Sequence, residues 1–106
     1  ILLEKNSILT EFKGALTEQF VAQQLKIKHE IYYWSAPNAT AEIDFMIQKE
    51  QTIIPIEVKA EENLKSKSLK VFVDKFQTQQ NLRFSMNNHR VQDWMTNMPL
   101  YTVNNL

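Results

Sequence analysis

An α/β or α+β sandwich is the fold class this sequence predicts, and three observations carry that expectation. A long stretch near the start has helical period, two adjoining segments alternate like a hairpin, and a second short helix precedes two further strand-like segments. With 106 residues there is room for one small domain over 1–106 and not for two, and such a chain buries only a modest share of its surface.

The first helix is expected from about Leu9 to Lys26. Leu9, Phe12, Leu16 and Phe20 recur every three or four residues as one apolar stripe. A second stripe runs through Gly14, Ala15, Val21, Ala22 and Leu25, so the helix should be covered on two sides, with Asn6 or Ser7 capping its start. Glu30 to Ser35 (EIYYWS), rich in aromatic and β-branched residues, reads as a strand, and Ala36-Pro37-Asn38-Ala39 as a turn. Thr40 to Gln48 and Thr52 to Ala60 form the hairpin. Lys49-Glu50-Gln51 offers neither Asn-Gly nor Asp-Gly, which points to a loop longer than two residues. Glu61 to Lys67 reads as an exposed loop. Ser68 to Phe76 reads as a helix with Leu69, Phe72, Val73 and Phe76 on one side. Leu82 to Met86 and Leu100 to Val103 read as strands, with a helical turn at Val91 to Met95 between them.

Composition narrows the function classes. Twelve basic residues balance twelve acidic ones, so no overall field draws the chain to nucleic acid or an anionic membrane. There is no cysteine, which removes disulfides and thiolate zinc sites. Gly14 is the only glycine, so phosphate-cradling loops of the P-loop or dinucleotide type are absent and any ATP-binding function must lie outside this segment. No apolar run has membrane-spanning length and no signal-peptide pattern opens the chain, so a cytoplasmic location without a membrane partner is expected. A start at Ile1 rather than Met reads as a fragment.

The hairpin carries the chemistry. Strand side chains alternate between faces, which puts Ala41, Ile43, Phe45 and Ile47 in one row with Ile54, Ile56 and Val58 on the partner strand. Glu42, Asp44, Glu57 and Lys59 then share the other face. A loop centred between Glu50 and Gln51 sets Asp44 across from Glu57 and Glu42 across from Lys59, with opposed Cβ atoms about 5 Å apart. Two carboxylates so placed repel each other, and a divalent cation reverses that interaction; Mg²⁺ takes one or two protein carboxylates plus water and phosphate oxygens. Lys59 would orient a water or touch the phosphate, a set suited to phosphodiester hydrolysis. The plainer reading is an exposed sheet face with a Glu42–Lys59 surface ion pair, worth under about 1 kcal/mol. Asp44 argues against it, because Asp is poor in strand interiors and here sits within Ile43-Asp44-Phe45. Glu18, whose helical neighbours are Gly14, Ala15, Val21 and Ala22, faces a packing surface and needs a partner, with Glu11 as its rival.

These residues support a resemblance. Glu18 on a first helix, Asp44 on the second strand and Glu57-Val58-Lys59 on the third resemble the PD-(D/E)xK nuclease-like superfamily of restriction endonucleases and archaeal Holliday-junction resolvases. That resemblance implies a restriction-endonuclease-like α/β core with a mixed sheet: helix, three strands with a central hairpin, helix and two further strands. Phe12 to Val21, Glu42-Ile43-Asp44-Phe45, Ile56-Glu57-Val58-Lys59-Ala60 and Pro99-Leu100-Tyr101 are similar to a domain of unknown function that forms the C-terminal part of bacterial and archaeal AAA-type ATPases. By that resemblance Asp44 and Glu57 are Mg²⁺ ligands, Lys59 positions water or phosphate, and Glu18 is the helix carboxylate. It also implies an N-terminal ATPase domain in cis, with ATP bound there, and DNA as a partner; self-association stays open. Pro37 and Asn38 would lie where resolvase-like relatives approach DNA. The alternative from another class is a non-catalytic docking domain that positions or regulates the ATPase.

Other residues read more plainly. His29 and His89 lack metal-ligand spacing and read as exposed or loosely packed. Trp34 and Trp94 could stack on bases, although core or subunit-contact roles weigh more. Lys65, Lys67, Lys70 and Lys75 are interspersed with Glu61, Glu62 and Asp74, which favours a solvated mixed-charge face over a phosphate-binding one.

Overall fold

The computed structural model describes residues 2–38, 41–60 and 66–106, with side chains from residue 12 onward in that set. The elements in order are α1 (Leu2–Lys28), β1 (Ile31–Ser35), β2 (Glu42–Lys49), β3 (Thr52–Lys59), α2 (Lys67–Phe76), β4 (Leu82–Ser85), β5 (Arg90–Val91) and β6 (Thr96–Pro99), closed by a 3₁₀ helix at Leu100–Asn105. The strands form a six-stranded sheet in the order β1-β2-β3-β4-β6-β5. It is mixed, as expected: β3 runs parallel to β4 and β4 to β6, while the other pairs are antiparallel.

Helices cover both faces of this sheet. On one side Val21 and Leu25 of α1 pack with Phe45, Ile47, Ile54, Ile56, Val58 and Phe84. On the other, Leu69, Phe72 and Val73 of α2 pack with Ile43 and Met95, flanked by Trp34, Met46 and Trp94. Each fully buried aliphatic or aromatic side chain contributes roughly 2 kcal/mol by leaving water. β3 is buried on both faces from Ile54 to Val58. Pro55 is tolerated there because pairing to β4 begins only at Ile56, so β3 is still an edge at that point.

Several expectations are corrected. α1 runs longer than Leu9–Lys26, and its first predicted stripe is not core: Phe12, Leu16 and Phe20 are exposed, because the sheet meets the helix on its Val21–Leu25 side. Gly14, assigned to the second stripe, faces open space. Asn6 and Ser7 lie inside α1, which has begun by Leu2, so neither caps its start; the side chains of Leu9 and Glu11, residues 39 and 40 and the loop 61–65 lie outside what is described.

The hairpin loop is not longer than two residues. Lys49 pairs with Thr52, and Glu50 and Gln51 both take positive φ (51° and 68°), the left-handed pair that a tight hairpin turn requires. The predicted strand at Leu100–Val103 is instead the 3₁₀ helix. Its three-residue repeat aims Leu100, Val103 and Leu106 at one core and leaves Tyr101 exposed. The helical turn expected at Val91–Met95 gives way to β5 and the approach to β6. Phe76 keeps to the same side of α2 as Phe72, with ring centroids 4.6 Å apart, and is about half exposed there. Among the described residues no helix is long and apolar enough to cross a membrane.

Candidate metal and phosphate site

Asp44 reaches its position through an irregularity. Between the Tyr32–Met46 and Trp34–Ile43 pairs, β2 carries one residue more than β1, a bulge that shifts its alternation. Ile43 therefore packs with α2 while Phe45 packs with α1, and the single apolar row expected for Ala41, Ile43, Phe45 and Ile47 is split. The paired residues of β2 and β3 end at Phe45–Ile56. One step beyond that pair, the same register sets Asp44 across from Glu57. The Asp44 carboxylate accepts a hydrogen bond from the Val58 backbone N–H at 2.8 Å (Oδ2), which anchors it where the strands part.

Glu57 stands in the central strand and is only 6 % exposed. Burial raises its pKa; a hydrogen bond with Ser66 and the Lys59 and Arg83 cations oppose that rise, while the Asp44 charge adds to it. Lys59 Nζ lies 3.7 Å from Glu57 Oε1, and its side chain is about one-third exposed. Glu57 Oε2 is buried and has no hydrogen-bond partner. An unpaired oxygen on a buried carboxylate costs free energy unless something binds it.

Glu18 completes the group from α1. Its pKa is raised to about 7, first by burial, then by its hydrogen bond with Asp44 and by the charges of Asp44 and Glu42. Burial, that hydrogen bond and the neighbouring charges all favour the protonated form of Glu18. Glu18, Glu42 and Asp44 line one cleft of about 350 Å³ with Tyr33, Trp34 and Ser35. The exposed Pro37-Asn38 turn leaves the same end of β1.

The structure thus brings Asp44 into electrostatic reach of both Glu18 and Glu57, with Lys59 against Glu57. It does not form the expected Glu42–Lys59 pair. Glu42 pairs with Ser35 across β1 and faces the cleft with Glu18, and Lys59 takes Glu57 instead. Nor do the four residues share a bare sheet face: Glu42 and Asp44 line the cleft with Glu18 of α1, while Glu57 is buried in the central strand. Among the described residues no three Asp, Glu or His groups form a ready cage for a metal ion. The donor set is two or three hard oxygens plus an ammonium, which fits an ion that keeps waters or takes substrate oxygens.

Sequence reasoning missed Ser66, Arg83 and Asn97. Arg83 is opposite Glu57 in the β3–β4 register and buried; its Nη1 donates to Ser66 Oγ at 2.9 Å and its Nε to Asn97 Oδ1 at 2.9 Å. The signal was an arginine inside an otherwise strand-like Leu82 to Ser85 segment, which burial makes costly unless partnered. His29 is half-buried with its Nε2 unbonded, so it is not an exposed histidine, whereas His89 is exposed.

The class defined by this geometry is an α/β domain with a mixed sheet whose central hairpin carries a carboxylate–lysine cluster. Residues 13–103 match the family model described as Domain of unknown function (DUF4143), and the chain belongs to that family. This membership is compatible with a domain at the C-terminus of an ATPase. No curated protein and no solved structure matches the chain.

Proposed function

We propose that the domain is a PD-(D/E)xK nuclease-like module that binds a divalent cation and acts on a phosphodiester of nucleic acid. One observation carries the reading: the buried Glu57 carboxylate, with Oε2 unbonded and Oε1 against Lys59. Asp44 and Glu57 would hold Mg²⁺; when bound, the ion supplies Lewis-acid activation of water and of the phosphodiester. The chain's own groups divide the remaining work. The Val58 N–H fixes the Asp44 carboxylate. The Lys59 ammonium offers donors for a phosphate oxygen or a water. Glu18, titrating near neutrality, can hold or release a proton in the cleft.

The test is incubation of the full-length protein with branched, single-stranded and duplex DNA plus Mg²⁺ or Mn²⁺. Cleavage of at least one substrate, lost in Glu57→Gln and reduced in Lys59→Ala, is the expected result. Cleavage unchanged by both substitutions, or no cleavage of any substrate, contradicts hydrolysis at this site.

A second reading, a docking module for an ATPase domain in the same protein, is favoured by a different observation. Phe12, Leu16 and Phe20 of α1 and Tyr101 of the 3₁₀ helix are exposed, and Leu16, Phe20 and Tyr101 line one shallow apolar groove. Phe12→Ser with Leu16→Ser should then release the two domains from each other while leaving the metal site intact.

A further inference from the structure

A second cavity lies on the α2 side of the sheet, with a volume of about 450 Å³. Tyr32, Trp34, Met46, Ile53, Phe72 and Phe76 line it, so its walls are aromatic and apolar. Trp34 meets Phe72 and Phe76 edge-to-face at 5.2 and 5.8 Å between centroids. Tyr32 and Phe76 remain close to half exposed, so the aromatic walls are open to an incoming ring. Cavities of this size hold flat drug-sized or nucleotide-sized groups.

The charge at its mouth narrows the occupant. Lys75 Nζ lies 5.9 Å from the Trp34 ring and 5.5 Å from the Phe76 ring. Lys75 has no carboxylate partner among the described residues, whereas Lys70 is paired with Asp74 at 3.1 Å. A cation with no carboxylate partner among the described residues, set beside an aromatic box, fits a ligand that is itself aromatic and carries a nearby anion. A nucleotide meets both demands: its base stacks and its phosphate takes the lysine.

Position makes the same argument. Trp34 lines both this pocket and the acidic cleft, so the two adjoin. β1 is the edge of the sheet, so no further strand among the described residues separates them. We propose that the Trp34–Phe72–Phe76 pocket is a base-binding subsite, which takes an unstacked nucleobase of a single strand while an adjoining phosphate takes Lys75. Choosing nucleic acid as the ligand rests on the function proposed above; the pocket itself uses none of the metal-site residues. An unpaired base is required, because a ring stacked inside a duplex has no free face to offer.

The experiment is photocrosslinking of the full-length protein to single-stranded DNA and RNA carrying one 5-iodouracil, in EDTA, with peptide mapping by mass spectrometry. The expected adducts fall on the peptides carrying Tyr32 and Trp34 or Phe72 and Phe76. Phe76→Ala, at an exposed position, should weaken oligonucleotide binding by about 5- to 150-fold, the range for losing one stacking platform. Lys75→Ala should weaken it and flatten its salt dependence. Adducts confined to other peptides, no adduct with either nucleic acid, or undiminished labelling of Phe76→Ala would overturn the proposal; the last is also what an apolar peptide as the natural occupant predicts. Because EDTA removes metal, labelling there reports the base subsite alone, so a failed metal site and a failed base subsite give different results.

Discussion

The Val58 N–H donates to the Asp44 carboxylate at 2.8 Å, so the side chain of one strand takes a backbone donor of its neighbour. That bond separates two roles for Asp44, as an acceptor that closes the hairpin and as a charge that draws a cation. Asp44→Asn keeps an acceptor oxygen and removes the charge. Asp44→Ala strands the Val58 N–H, at a cost of about 1–3 kcal/mol. Chemical denaturation should therefore rank stability as parent close to Asn and both above Ala, while metal binding is lost in both variants.

Protonation of Glu18 predicts a pH dependence with a definite sign. Its pKa is about 7 in the folded chain against 4.5 ordinarily, so the folded state binds more protons than the unfolded state between those values. This contribution to stability is full below pH 4.5 and is lost as pH rises through 7. Glu57, whose pKa is also raised, adds in the same direction. In Glu18→Gln the melting temperature should fall less between those pH values than in the parent; equal slopes would show that folding does not raise the Glu18 pKa.

Burial of Arg83 opposite Glu57 predicts coupling between them. Arg83→Ala removes one of the two cations near Glu57, leaving Lys59, and takes donors from Ser66 and Asn97, so a loss of about 3–5 kcal/mol is expected. Pairing Glu57→Gln with Arg83→Met should recover a substantial part of that loss, because the buried charge is then gone. A double-mutant cycle with no interaction energy would contradict the coupling.

The tight turn predicts an easy gain. Glu50 and Gln51 hold left-handed backbone, which costs about 1–2 kcal/mol per ordinary residue. Glu50→Asn with Gln51→Gly supplies the residues that turn favours and should raise stability by about 1 kcal/mol or more in a denaturant titration.

That turn also marks where the sequence was legible and where it was not. The alternation of Thr52 to Lys59 against Glu42 to Lys49 fixed the hairpin and its register, because a one-residue slip would expose Ile54 and Ile56. The turn chemistry pointed to a longer loop because Glu50-Gln51 adopts its conformation against local preference. The bulge at Asp44 left no mark in the alternation pattern, so Ile43 and Phe45 read as one row although they face different helices. Leu100 to Val103 reads as a strand by residue type, but a three-residue repeat through Leu106 serves the core better. On α1 the stripe through Phe12, Leu16 and Phe20 is the more apolar in sequence, yet the position of the sheet buries Val21 and Leu25 and leaves those three exposed. Glu18 was found because a carboxylate among small residues needs a partner. Ser66 and Arg83 were missed because their link to Glu57 crosses between distant segments.

Calorimetric titration with Mg²⁺ or Mn²⁺ at neutral pH tests the cation site most directly. Saturable binding to the parent, abolished in Asp44→Asn and in Glu57→Gln while both variants remain folded, is the predicted result. No binding to the folded parent, or binding that both substitutions leave unchanged, would contradict it.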